Sequence, residues 1–133
     1  MQQADSSDPY TDPFNVHEEI RAGDSLLYLM NFQNGSSPLD ITGYIFLFTA
    51  KRSKLDDDSL AVAQTRYAVL PGTLSQSGRL SFEAITTGQS DQIPPDATYV
   101  MDIRYITPAN MVATIVEGDI TVKRPVGHNL FPP

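Results

Sequence analysis

The stretch TYVMDIRYI, residues 98–106, decides the fold. Tyr99, Met101, Ile103 and Tyr105 fall on one side of it, and Asp102 and Arg104 on the other. A period of two is that of a β-strand with one face in a core and one face in water. Thr107-Pro108-Ala109-Asn110 follows, with proline where a type I turn favours it. Residues 111–123 then predict a long returning strand, with a bulge at Gly118.

Working outward, the same strand-and-turn grammar repeats. Residues 25–32 (SLLYLMNF), 44–51 (YIFLFTAK), 60–70 (LAVAQTRYAVL) and 79–85 (RLSFEAI) each predict a strand, and Val16–Ile20 a short first one. The turns between them carry Asn34-Gly35-Ser36, a hairpin signal in which Asn34 and Gly35 both accept positive φ, and then Asp40 to Gly43 and Pro71-Gly72. Thr86–Gln92 predicts one helical turn before Pro94-Pro95, and no longer amphipathic helix is present. About seven strands at this spacing predict an all-β, immunoglobulin-like antiparallel β-sandwich. In that frame Tyr99 is the expected corner tyrosine, bonding back to the backbone just upstream.

Two strands are apolar on both faces. Leu26, Tyr28, Met30 and Phe32 share one side of the first, leaving Leu27 and Leu29 on the other. Tyr44, Phe46 and Phe48 share one side of the next, leaving Ile45 and Leu47. A small sandwich buries one face of each strand. Leu27, Leu29, Ile45 and Leu47 are therefore interface candidates, unless the N-terminal arm or the 51–59 loop covers them.

At 133 residues the chain is the size of one domain, able to bury roughly two-thirds of its unfolded surface. Its net charge of −7 is unevenly placed: residues 1–24 hold six acids and one base, leaving ten acids and eight bases for the rest. The sequence thus divides into an extended acidic N-terminal arm (1–22), a sandwich (23–124) and a C-terminal tail (125–133). Tyr10, Phe14 and Phe131 are the aromatic anchors such arms would offer to neighbouring chains. An acidic surface has the wrong sign for phosphate backbones and anionic membranes, so neither nucleic acid nor membrane is an expected partner. The N-terminus has neither the basic nor the apolar region of a signal peptide.

Chemistry finds little to work with. With no cysteine there is no disulfide, thiolate metal site or thiol nucleophile. The two histidines, His17 and His128, lie near the chain ends, away from any Gly-x-Ser-x-Gly elbow. Asp56-Asp57-Asp58 is the densest acidic cluster, but three consecutive carboxylates lack the spacing of a calcium loop and read as a solvated turn beside Lys51, Arg52 and Lys54. No catalytic residue, cofactor, metal or small-molecule substrate is expected.

Several short motifs share a known pattern: Gly23-Asp24-Ser25, Pro38 to Tyr44 with Asp40, Thr42 and Gly43, Ser77-Gly78, Thr98-Tyr99 to Asp102, and Glu117-Gly118 to Val122. Over residues 20–124 the chain resembles the immunoglobulin-like domains of bacteriophage virion proteins, such as the N-terminal domain of siphophage upper baseplate proteins. Asp40 suits an Asx-type turn there, and Gly43 the positive φ before Tyr44. The resemblance implies a non-enzymatic virion protein, an adaptor of tail, baseplate or fibre attachment, whose partners are other virion proteins and copies of itself. It also fits a capsid decoration protein. Since no shaft or receptor-binding domain follows residue 124, a stand-alone adaptor is the expectation. A glycan- or receptor-binding module is the alternative, with Tyr67 and Tyr105 as its few aromatic candidates.

Overall fold

The computed structural model describes residues 13–126. Tyr10, Phe131 and His128 lie outside the described residues. The strands are β1 (Phe14–Arg21), β2 (Leu26–Asn31), β3 (Gln33–Asn34), β4 (Ser37–Pro38), β5 (Ile45–Lys51), β6 (Ala63–Ala68), β7 (Arg79–Ile85), β8 (Ala97–Ile106) and β9 (Val112–Lys123). A 3-10 turn at Asp58–Leu60 and two short helices, α1 (Thr73–Gln76) and α2 (Thr87–Gln92), fill the connections. One layer is a five-stranded sheet in the order β1-β9-β8-β5-β6; β2 and β7 form the facing layer, and β3-β4 a small hairpin. The fold is an all-β sandwich.

The alternation that identified the strands also builds the core. Tyr99, Met101, Ile103 and Tyr105 of β8 are all buried, as are Leu80 and Phe82 of β7. Phe46 sits at the centre, with ring centroids 5.6 Å from Phe32, 6.3 Å from Phe82 and 6.0 Å from Tyr105. It bridges the two layers. Such offset and edge-on aromatic contacts add to the burial of large apolar surfaces.

Four features differ from the sequence reading. First, residues 14–21, assigned to the arm, form a full strand, longer than the Val16–Ile20 segment expected to pair. Moreover β1 runs parallel to β9, so the sandwich is not wholly antiparallel. Val16 and Ile20 are buried at their inward positions, while Glu19 bridges to Lys123 at 2.8 Å and Arg21 at 3.2 Å. Glu18 takes the inward position between them, close to Tyr28. Burial, and then the Glu18 charge, push the Tyr28 phenol above its ordinary range.

Second, the bulge in β9 is at Ile115. Ile103 pairs with Val116 and Arg104 with Thr114, leaving Ile115 as the extra residue. Gly118 stays in register opposite Met101. Its lack of a side chain serves a different need, since a Cβ there would overlap the Val16 backbone.

Third, residues 60–70 are not one strand. The Asp57 carboxylate accepts the Ser59 N–H at 3.0 Å and caps the 3-10 turn, so β6 begins only at Ala63. Fourth, the β3-β4 turn centres on Gly35-Ser36, with positive φ at Gly35 and not at Asn34. Glycine in the first central position suits a tight hairpin.

Two corners lock the chain. The Tyr99 hydroxyl donates to the Pro94 carbonyl, five residues upstream, and Arg52 lies 5.5 Å from the ring centroid. Asp40 accepts the Thr42 N–H at 2.9 Å and its hydroxyl at 2.6 Å. Those two bonds hold the Asp40 carboxyl below its usual range. Gly43 then turns with φ +84 into β5.

Candidate interaction surface

Strand β2 presents Leu26, Tyr28 and Met30 to the core and Leu27 and Leu29 outward. Leu27 is 50% exposed and Leu29 43%. On the same outer face β7 places Glu83 opposite Leu27, Ser81 opposite Leu29 and Arg79 opposite Asn31. Helix α1 adds Leu74 at the rim, and a shallow groove runs between Leu29, Leu74, Arg79 and Ser81. The face is apolar at its centre, with one charge of each sign at its ends.

Ile45 and Leu47 lie elsewhere. They occupy the outer face of β5 in the five-stranded sheet, so the structure places the two leucines of β2 and these two residues on opposite sides of the sandwich. No single flat interface covers all four. Ile45 and Leu47 are also half-buried. Leu47 is flanked by Arg66 on β6 and Arg104 on β8, whose stems are long enough to shield it. Phe14, at the start of β1, is 39% exposed.

The outer face of the five-stranded sheet carries a polar depression lined by Thr49, Lys51, Lys54, Asp58, Asp102, Arg104 and Glu117. The loop after β5 folds over this end of the sheet. Lys51 Nζ donates to the Asp56 carbonyl at 2.8 Å and pairs with Asp58 at 2.5 Å. Asp102 sits half-buried, paired across strands with Thr49 and Glu117. Burial pushes its carboxyl up; Arg104 and Lys51 oppose the shift, and Asp58 and Glu117 add to it. Sequence alternation placed Asp102 outward but gave no sign of this crowding, because Asp58 arrives from a distant loop.

As chemistry, the described residues offer little. His17 Nδ1 donates to Asp119 at 3.0 Å, but the imidazole is 80% exposed on an edge strand. An exposed pair lacks the fixed geometry that general-base catalysis needs. Among the described residues no group of three or more His, Asp or Glu side chains could hold a metal ion, and no helix is long and apolar enough to cross a membrane.

The chain is thus an all-β sandwich whose two-stranded layer turns Leu27 and Leu29 outward. Among solved structures, the N-terminal domain of phage TP901-1 ORF48 is similar, at 11% identity over 92% of this chain and 95% of that one, with a TM-score of 0.49. The Drosophila OTK extracellular domains 3-5 are also similar, at 14% identity and a TM-score of 0.36 over 83% of this chain; the chain spans 33% of that protein. No family model and no curated protein matches the sequence.

Proposed function

We propose that this chain is a non-enzymatic bacteriophage structural protein, an adaptor of the tail, baseplate or fibre-attachment region. It binds neighbouring virion subunits through the outer face of β2 and through the terminal segments that carry Tyr10 and Phe131. The observation that carries the reading is the pair Leu27 and Leu29, held half-exposed on a rigid strand whose other face is fully packed. A solvent-facing strand with two large apolar residues costs solubility and is retained where something covers it. The motifs at Asp40, Gly43 and Tyr99 support the same reading, since their turn and corner frame the domain type that the sequence resembles.

The test is incorporation into particles of the phage that encodes the chain, read by cryo-EM. Wild-type chain is expected at a defined tail or baseplate position. The double variant L27E/L29E is expected to be depleted there, and so is a deletion of residues 1–12, which spares β1. Absence of the wild-type chain from particles, or native occupancy of both variants, overturns the reading. Density on the capsid shell instead would make it a decoration protein.

A further inference from the structure

We propose that β2 is the pairing edge of a symmetric homodimer. The β2 strands of two copies run antiparallel and join two two-stranded layers into one of four strands. The proposal rests on the reading that Leu27 and Leu29 form an interaction surface, and it names the partner as a second copy of this chain.

A strand at the border of a sheet presents unpaired N–H and C=O groups, and proteins guard such borders with charge. The five-stranded sheet ends in β1, with His17, Glu18, Glu19 and Arg21, and in β6, with Arg66. On the two-stranded layer, β7 carries Arg79 and Glu83. Among these four border strands β2 alone, LLYLMN, has no charged residue.

A two-fold axis at Tyr28 places Leu27 opposite the partner's Leu29, and Leu29 opposite the partner's Leu27. All four leucines then cluster on the outer face, with each Leu74 beside them. Directly opposed apolar pairs are the unit by which antiparallel strands stabilise one another.

Glu83 stands level with Leu27 and Arg79 level with Asn31, so the outer face is acidic at one end and basic at the other. In the four-stranded layer these charges lie on the two outer β7 strands, three strand spacings or about 14 Å apart, so the seam between the two β2 strands is free of like-charge repulsion. An acidic N-terminal arm would instead bring Asp5, Asp8 and Asp12 to a face whose one base is Arg79. A second β2 suits the site better. Pairing over six residues buries less than the roughly 800 Å² per partner of a standard interface, which places the dimer among weak, transient interfaces, best sought at about micromolar concentrations and above.

The test is analytical ultracentrifugation of the full chain from about 1 to about 200 µM, a range that reveals a weak dimer. A monomer–dimer equilibrium is expected, weakened at least about tenfold in L27E/L29E, with an unchanged circular-dichroism melt because both leucines face outward. The chain has no cysteine, so engineered thiols report cleanly. L27C mixed with L29C is expected to form a disulfide dimer under oxidation more readily than either alone. A monomer throughout the range overturns the proposal. So does a dimer that the double variant leaves intact, or cross-linking equally efficient in L27C alone, which marks another register. A wild-type monomer that dimerises when residues 1–12 are deleted also overturns it, with the arm as the occupant. If the chain is monomeric yet L27E/L29E still fails to enter particles, the dimer is wrong and the interaction surface stands. If the dimer forms but the variant enters particles normally, the dimer stands and the virion role of that face falls.

Discussion

Gly118 of β9 and Val16 of β1 stand opposite each other so closely that a Cβ on the glycine would overlap the Val16 backbone. The contact is what allows β1 to close the five-stranded sheet and to bury Val16 and Ile20. Gly118→Ala is therefore expected to lift β1 from β9. The cost is about 2–4 kcal/mol, in the range of overpacking combined with lost burial. Native-state hydrogen exchange should show amide protection lost along residues 14–21 and kept along β5 and β8. Equal loss in all strands, or none, would contradict this account.

The same pair marks the limit of what the sequence discloses. Strands β7 and β8 were legible because residues such as Leu80, Phe82, Tyr99 and Met101 alternate without interruption. The outward position of Leu27 and Leu29 follows from the same parity. In β1 the charged Glu18 occupies an inward position between Val16 and Ile20, so the period is masked. Its partner lies about a hundred residues away, and no local signal encodes a parallel pairing at that distance. The bulge at Ile115 hides within an apolar run, where either phase looks acceptable. Strand order across layers is likewise set by packing, which is why Leu27 and Ile45 are alike as interface candidates in the sequence and yet lie on opposite faces.

Tyr99 offers a measure of the corner's worth. Its ring is buried, at 1% exposure, and its hydroxyl donates to Pro94. Tyr99→Phe keeps the ring and leaves that carbonyl without its donor. The expected loss is about 1–2 kcal/mol in denaturant unfolding, with an unchanged dependence on denaturant concentration. A change below the error of the measurement would mean that water replaces the hydroxyl.

Phe46 ties the two layers of the core together. Its ring meets Phe32 and Phe82 from one layer and Tyr105 from the other, with no exposed surface. Phe46→Ala removes contacts on both sides at once, and a cavity between two sheets closes poorly. The expected cost is about 3–5 kcal/mol, a large share of the roughly 5–15 kcal/mol that holds a domain together. Leu29→Ala, on the outer face, is expected to cost under about 1 kcal/mol. Comparable losses from the two substitutions would refute the assignment of inner and outer faces.

Asp102 carries the clearest pH signature. Burial raises its folded-state pKa above the unfolded value, so the ionised carboxylate opposes folding. The penalty is fully present above the folded pKa. It fades as pH falls, because the folded chain then binds a proton that the unfolded chain does not, and it is gone below the ordinary Asp value of about 4. Asp102→Asn keeps the shape without the charge. It gives up the attraction of Arg104 and Lys51 and sheds the repulsion of Asp58 and Glu117 along with the desolvation cost. Since desolvation is the leading cause, the variant is expected to be more stable than wild type at pH 7, with a higher Tm. At pH 3.5 the difference should shrink toward zero. A variant less stable at pH 7, or a gap that persists in acid, would show that the Arg104 and Lys51 pairing outweighs burial in this depression.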